Sequence, residues 1–271
     1  MVEHHIGWPA RLRGWQRAVG WRARRPRPHF LGIGTQKGGT TSLYQLLRQH
    51  PDVFLPEQKE LHYFSKHYQL GDRWYLNHFA AAKPGQLRGE ITPYYLFHEA
   101  APQRIAAMRR SMRLIALLRD PVERTLSQYF HSCRLGLETL PLEAALEAES
   151  TRLCGSAERI QQPGITDLHH QEHSYLARSR YEIQLQRYLA LFGQERVLVL
   201  RSEDLFAQDP ECLRRLCGFL GIAPFEAQIT IPKANSGAGE AHAVSEALRS
   251  QLREQLEPTY RWLEAAYGMR W

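Results

Sequence analysis

The sequence predicts an α/β fold, in which a parallel β-sheet carries helices on both of its faces. Three observations support this prediction. Strand-like and helix-like segments alternate along the chain. The segments 114–118 and 197–200 are apolar at every position, which is typical of central parallel strands. With 271 residues, 43% hydrophobic and 23% charged, the chain can form one such domain with a substantial core.

Each element follows from the spacing of the apolar residues and from the turn residues around them. Short apolar runs predict five strands, near 29–34, 52–55, 87–91, 113–118 and 196–200. Apolar residues at helical spacing predict eight helices, near 40–49, 72–80, 101–110, 121–135, 141–149, 173–192, 210–220 and 243–267. Residues 150–172 contain Gly155, Pro163 and Gly164, so we expect a long loop there that could cover a site.

The positive charge of the chain is concentrated at its N-terminus. Residues 1–28 contain seven arginines and one acid, a net charge of +6, whereas residues 29–271 contain 28 basic and 27 acidic side chains. We therefore predict a basic, tryptophan- and arginine-rich leader over 1–28 and a folded domain over 29–271. Because the excess charge lies outside the folded domain, no nucleic acid partner is expected. The leader allows peripheral contact with a membrane, or is simply a partly ordered tail.

Cellular context is predicted from what the sequence lacks. No apolar run approaches 18 residues, and the N-terminus has no apolar signal core, so neither a membrane span nor secretion is expected. The four cysteines form no C-x-x-C pair and no zinc spacing with histidine, which favours reduced thiols in the cytoplasm. The sequence leaves open whether Cys133 and Cys154 pair.

Residues 29–42 combine a short buried strand, a glycine turn and a helix start. This arrangement brings backbone N–H groups and the positive end of a helix dipole to one point, where a phosphate binds. The loop supplies the phosphate-binding candidates Lys37, Gly38, Gly39, Thr40 and Thr41.

The order of residues in this loop separates it from the loop of nucleoside triphosphate-binding proteins. That loop reads G-x-x-x-x-G-K-[ST], with the hydroxyl on magnesium. Here Lys37 precedes the two glycines, so we expect phosphate binding without a metal. Two alternatives are a P-loop kinase or NTPase-like phosphotransferase and a tight turn with an exposed lysine.

The loop and three further segments resemble the sulfotransferases that use 3′-phosphoadenosine-5′-phosphosulfate (PAPS). The segments are 35–43, 50–53, 59–64 and 114–129. They are similar to the branch with heparan sulfate N- and O-sulfotransferase domains and their bacterial relatives, and the resemblance covers roughly 28–271. It implies the P-loop-like sulfotransferase fold, PAPS as co-substrate, adenosine 3′,5′-bisphosphate as product, no metal and a glycan acceptor.

The resemblance also implies roles for single residues. Lys37 and residues 38–41 bind the 5′-phosphosulfate, and Lys37 stabilises the leaving phosphate. Arg119 and Ser127 bind the 3′-phosphate. Considered without the resemblance, Arg119 is equally typical of a local ion pair at a helix start, and Thr40 of a helix N-cap.

Glu60 is the general-base candidate, because the resemblance assigns the acceptor proton to the glutamate of segment 59–64. Partial burial there predicts a raised pKa, whereas a solvated surface glutamate is the simpler explanation. His131 lies one helical turn after Ser127 and matches a histidine of N-sulfotransferase-like members. It is a candidate for catalytic assistance or acceptor binding, or else a structural histidine.

The expected reaction is sulfuryl transfer to a hydroxyl or amine, with a glycan preferred and a lipid or small metabolite as alternative acceptors. Ile91 stands where several heparan-sulfating members have lysine, which weakens the case for a strongly anionic glycan. Residues 233–237 look like the late cofactor loop over the adenosine. A non-enzymatic basic module that binds membranes or nucleic acid is the second alternative function.

Overall fold

The computed structural model describes residues 26–225, 231 and 244–271. Five parallel strands form one sheet in the order β2-β3-β1-β4-β5. The strands are β1 (Phe30–Gly34), β2 (Val53–Phe54), β3 (Leu87–Ile91), β4 (Arg113–Leu118) and β5 (Val197–Arg201). All five predicted strands are therefore confirmed, with small differences at their ends.

Helices connect and cover these strands. In the described part of the chain they are α1 (Thr40–Arg48), α2 (Gly71–Asn77), α3 (Tyr94–Phe97), α4 (Ala101–Met108), α5 (Pro121–Arg134), α6 (Leu142–Leu153), α7 (Ser156–Arg159), α8 (Leu168–Glu172), α9 (Tyr181–Phe192), α10 (Ser202–Phe206), α11 (Pro210–Leu220), α12 (Glu246–Gln255) and α13 (Glu257–Tyr267). None of these helices is long and apolar enough to cross a membrane.

Strand β4 shows how the sheet is buried on both faces. Leu114, Ala116 and Leu118 belong to one hydrophobic cluster, which also contains residues of α4 and α9. Ile115 and Leu117 belong to a second cluster, together with residues of α1 and α11. All five side chains are fully buried. The continuous apolar run thus marks a central strand, as predicted.

The predicted helix over 173–192 is wrong for residues 173–180. The backbone N–H groups of Tyr175, Leu176 and Ala177 donate to the buried carboxylate of Glu149, at 2.8–2.9 Å. These N–H groups are therefore not available to helical carbonyls, and α9 begins only at Tyr181.

Two further boundaries differ from the prediction. The helix expected over 243–267 is divided at Leu256, because Pro258 has no N–H for a continuous ladder. The loop expected over 150–172 is partly helical, since α6 extends to Leu153 and α7 and α8 follow.

All four cysteines are free thiols, so no bridge joins Cys133 to Cys154.

Strand order places two loops side by side at the carboxyl edge of the sheet. From β1 the chain crosses to one side for β2 and β3, and then to the other side for β4 and β5. Because β1 and β4 are neighbours, the loops after them flank a topological switch point, where α/β sheets bind ligands.

Candidate active site

A pocket of about 160 Å³ lies where the loops after β1 and β4 meet. Eight of the nine predicted site residues line it: Lys37, Gly39, Thr40, Thr41, Glu60, Arg119, Ser127 and His131. Gly38 is not among the lining residues. Gln36 and Pro93, which are not among the nine, line the pocket as well.

Both glycines of the turn are required by their surroundings. A Cβ on Gly38 would lie 2.6 Å from the carbonyl oxygen of Leu117. Gly39 has a φ of 85°, and a Cβ there would lie 2.6 Å from the ring of Phe206. A side chain on Gly38 would push the loop away from β4, and one on Gly39 would push it away from α10, so either would distort the pocket.

The turn opens directly into α1. Gly39 occupies the N-cap without a side-chain cap, so the alternative of Thr40 as N-cap residue is wrong. The N–H groups of Gly39, Thr40 and Thr41 belong to the first turn and have no acceptor within the helix. They meet the requirements of a phosphate site, because free N–H groups and the helix dipole coincide at the pocket wall.

Hydrogen bonds join the loop after β1 to the end of β4. The N–H of Thr35 donates to the carbonyl of Leu117 at 2.8 Å. The buried hydroxyl of Ser202 lies 2.6 Å from the carbonyl oxygen of Gly38 and 2.8 Å from that of Leu118. The loops that carry Lys37 and Arg119 are therefore parts of one connected unit.

Lys37 adopts a backbone conformation that is uncommon for a residue with a side chain. Its φ is 69°, in the left-handed region. Burial and the charges of Arg134, Arg119 and Arg124 lower the pKa of its ammonium to about 8, with Glu172 acting in the opposite direction. Both features cost free energy in the folded protein, which is typical of functional positions.

Arg119 and Ser127 are positioned by α5. The carboxylate of Asp120 caps this helix by accepting from the N–H of Glu123 at 2.8 Å. Arg119 lies 3.7 Å from the carboxylate of Glu123, and its side chain is 30% exposed. The ion pair expected at this helix start therefore exists, but it joins residues 119 and 123. Such an exposed pair contributes little stability, so a phosphate could replace Glu123 as the partner.

Glu60 is held between two basic side chains. Its carboxylate lies 3.1 Å from Lys59 Nζ and 3.2 Å from His62 Nε2, and its side chain is 27% exposed. Burial by itself would raise the pKa of Glu60, but the hydrogen bond with His62 and the charge of Lys59 outweigh that effect. The net result is a pKa below the usual range, so the predicted increase is wrong.

His131 lies on the pocket wall with Ser127, one turn away on α5. Burial and the charges of Lys37 and Arg134 lower its pKa to about 4. The imidazole is therefore neutral at pH 7. In that state it offers one hydrogen-bond donor and one acceptor to a bound molecule.

Several contacts of the site are not visible in the sequence pattern. The guanidinium of Arg178, which is buried, contacts the side chain of Gln36 across 142 positions of the chain. No local motif relates two residues so far apart. Ile91 is also buried and packs into the core around α1, so it does not line the pocket. Residues 233–237, the expected adenosine loop, lie outside the described residues.

Among the residues that the structure describes, no group of three or more His, Cys, Asp or Glu side chains could hold a metal ion.

Proteins of known class match this chain over part or most of its length. The family model "Sulfotransferase domain" matches residues 27–234. Heparan sulfate glucosamine 3-O-sulfotransferase 3B1 of Mus musculus is 32% identical over 195 residues, 72% of this chain and 46% of that protein. Membrane-associated sulfotransferase kil1 of Dictyostelium discoideum is 42% identical over 108 residues, 39% of this chain and 23% of that protein. The matched regions thus span less than half of these two relatives.

Solved structures show the same architecture. A sulfotransferase from Alicyclobacillus acidocaldarius is 28% identical and superposes on 91% of this chain and 98% of its own, with a TM-score of 0.71. Mouse sulfotransferase SULT7A1, solved in complex with PAP, is 15% identical and has a TM-score of 0.51, with 90% of this chain and 87% of that chain covered. The second likeness concerns the fold alone.

Proposed function

Because the chain belongs to the sulfotransferase domain family, we propose that it transfers a sulfuryl group from PAPS to a hydroxyl or amine of an acceptor. In this reaction the bond from sulfur to the 5′-phosphate oxygen breaks, a bond from sulfur to the acceptor forms, and the acceptor loses a proton. The observation that supports the proposal is the shared pocket of Lys37, Glu60 and Arg119 at the switch point. In the proposed reaction Lys37 supplies a positive charge for the leaving phosphate, Glu60 supplies a base, and Arg119 supplies a second cation for phosphate binding.

The residues present fit PAPS at both of its ends. The free N–H groups of residues 39–41 and the ammonium of Lys37 would bind the 5′-phosphosulfate. The guanidinium of Arg119 and the hydroxyl of Ser127 would bind the 3′-phosphate. Both sets of groups lie on the wall of one pocket.

Each side chain has one task in the proposed transfer. Lys37 stabilises the negative charge that develops on the leaving phosphate. Glu60 accepts the proton of the acceptor as general base, and it is ionised at neutral pH because its pKa lies below the usual range. His131 is neutral and hydrogen-bonds to the acceptor or to the transferring group.

A glycan is the acceptor class that we propose. The matched mouse and human relatives are named for the glucosamine of heparan sulfate. Incubation of the protein and PAPS with a panel of glycans, lipids and small hydroxylated or aminated compounds, followed by mass spectrometry, tests this directly. We expect an increase of about 80 Da on a glycan, because the neutral sulfated product is the acceptor plus one SO₃. An increase confined to lipids or small metabolites would overturn the glycan assignment, and none at all would overturn the activity.

We also propose a cytoplasmic protein whose basic leader makes peripheral contact with a membrane. The support is compositional: residues 1–28 carry a net charge of +6 and three tryptophans, which suit an anionic lipid surface. A relative is named as membrane-associated.

Arg119→Ala is expected to weaken binding of adenosine 3′,5′-bisphosphate by about 2 kcal/mol, roughly thirtyfold. We expect the low end of the range for a lost charged contact, because the Arg119 side chain is 30% exposed. Isothermal titration calorimetry measures the effect. Glu123→Gln is the matched control, since it removes the ion-pair partner and leaves Arg119 in place. Equal affinity in Arg119→Ala and the parent protein would reject the 3′-phosphate role.

Binding of the bisphosphate is expected to be the same in EDTA and in millimolar magnesium. The reason is that Lys37 precedes the glycines, so no hydroxyl occupies the magnesium position of a nucleoside triphosphate loop. Calorimetry with ATP in both buffers provides the comparison. If magnesium were required, or if ATP with magnesium bound more tightly than the bisphosphate, the kinase or NTPase-like alternative would be favoured.

A further inference from the structure

Glu90 is a buried carboxylate behind the proposed base. It lies in β3, and only 2% of it is exposed. Its Oε2 accepts from the hydroxyl of Thr92 at 2.7 Å, and its Oε1 accepts from the hydroxyls of Tyr95 at 2.7 Å and Tyr75 at 3.3 Å. Among the described residues no basic side chain lies within 4 Å of it. Three hydroxyl groups thus replace the usual cationic partner.

Two of these hydroxyls also hold the segment that contains Glu60. The N–H of His62 donates to the hydroxyl oxygen of Thr92 at 3.3 Å. The N–H of Phe64 donates to the hydroxyl oxygen of Tyr95 at 3.4 Å. The third hydroxyl, on Tyr75, donates to Glu90 and takes part in neither of these two contacts. Residues 62 and 64 are therefore connected to one carboxylate through two parallel relays.

The carboxylate determines the direction of both relays. An ionised carboxylate only accepts, and a hydroxyl has a single proton to donate. When Thr92 and Tyr95 donate to Glu90, their lone pairs are left for the N–H groups of the 62–64 backbone. His62 has a φ of 52°, an uncommon conformation that these bonds help to maintain. From there His62 contacts the Glu60 carboxylate at 3.2 Å.

We propose that Glu90 is a positioning residue for the base: through Thr92 and Tyr95 it holds the 62–64 backbone, and through His62 it orients the carboxylate of Glu60. The proposal rests on the proposed sulfotransferase function only in naming Glu60 as the base. The hydrogen-bond relay itself can be measured without activity.

Protonation of Glu90 would break the relay. Burial raises the pKa of Glu90 to about 7, although the three hydroxyl groups oppose this and Glu60 adds to it. The titratable groups around it are Tyr75, Tyr95 and Glu60. The pKa values of both tyrosines are raised well above their ordinary value, so they stay neutral. A protonated Glu90 donates to one hydroxyl, and a Thr92 or Tyr95 hydroxyl that accepts this proton loses the carboxylate acceptor that oriented it toward its N–H partner. Positioning is thus present above pH 7 and is lost as the pH falls through about 7.

The test is Glu90→Gln, because the glutamine amide has one donor group and mimics the protonated acid at every pH. We expect kcat at pH 8 to fall by about ten- to a hundredfold, as for other small misplacements of a catalytic group. The acidic limb of kcat near pH 7 should disappear, while affinity for adenosine 3′,5′-bisphosphate stays unchanged. Tyr75→Phe is the matched control, with kcat within about twofold of the parent and the acidic limb retained.

Hydrogen exchange followed by mass spectrometry supplies a readout that does not need activity. The 59–66 peptide should exchange faster in Glu90→Gln and in Thr92→Val, but not in Thr92→Ser or Tyr75→Phe. If the 59–66 peptide exchanges faster in Glu90→Gln and Thr92→Val, but neither the parent protein nor any variant transfers sulfuryl groups, the relay is supported and the sulfotransferase function is rejected. A parent-like kcat, acidic limb and exchange rate in Glu90→Gln would overturn the proposal. If Glu90→Gln does not fold, Thr92→Val and Tyr95→Phe decide by the same measurements.

Discussion

Lys37→Ala is expected to lower kcat by about 10²–10³-fold, the usual effect of removing one preorganised group at a developing negative charge. The structure gives two reasons. Lys37 lines the pocket beside the free N–H groups of the α1 start. Its burial and its neighbouring arginines lower the pKa to about 8, so the protonated amine gains most when an anion binds. Turnover of PAPS at saturating acceptor measures the effect.

The same substitution should not destabilise the fold. The pKa of Lys37 is lowered to about 8 in the folded state, so the protonated side chain destabilises the folded protein at every pH below about 8. This free-energy cost decreases as the pH rises from about 8 and is gone above 10.5, the ordinary pKa of lysine. Alanine removes this cost, and thermal melting at pH 7 should show an equal or higher Tm. Lys37→Arg keeps the charge, and Lys83→Ala, at an exposed position, serves as the matched lysine control. A kcat close to that of the parent in Lys37→Ala would rule out its catalytic role.

Glu60→Gln is expected to lower kcat by about 10²–10⁴-fold, the contribution of a positioned general base. The amide keeps the shape of the side chain but cannot take the acceptor proton. Because Glu60 and Lys37 line the same pocket, an acceptor between them would meet the base on one side and the phosphosulfate on the other. Single-turnover kinetics with preformed PAPS complex isolates this step from binding.

The control for this substitution is Glu57→Gln, three positions earlier and exposed. Both variants should bind adenosine 3′,5′-bisphosphate as the parent does, since neither side chain is placed at a phosphate. Near-normal turnover in Glu60→Gln would mean that the base lies elsewhere. His131 would then be tested first, because its pKa of about 4 keeps it neutral and able to accept a proton.

The regular part of this fold could be predicted from local sequence, because local physics determines it. A run such as 113–118 is apolar at almost every position, and Gly38 and Gly39 stand between an apolar run and a segment with helical spacing. Strand positions and the phosphate-binding character of the loop after β1 were therefore predictable, whereas Glu60, Arg119, Ser127 and His131 were assigned to the site through the family resemblance. The absence of a helix over 173–180 was not predictable, since N–H groups of this segment bind Glu149, which lies 26 positions before Tyr175. The spacing of apolar residues gives no information about hydrogen bonds between segments so far apart in the chain.

Electrostatics at the site was the least predictable part. Burial was foreseen for Glu60, but the sign of its pKa change depends on the positions of Lys59 and His62, which only the folded loop determines. The contact of Arg178 with Gln36 and the hydroxyl relay from Glu90 likewise join distant segments. A motif names the residue that reacts, whereas the groups that orient it come from the packing of other strands and helices.

The hydroxyl of Ser202, which lies within hydrogen-bond distance of Gly38 and Leu118, has a consequence for the choice of nucleotide. It links the two proposed phosphate-binding loops, and under the proposed function we expect ligands to be selected by the distance between their anionic groups rather than by their total charge. ATP carries a large negative charge, but all of its phosphates extend from one end of the ribose. Under the proposed function, a nucleotide with phosphates on both sides of the sugar would reach both loops, whereas a nucleoside triphosphate would leave one of them empty.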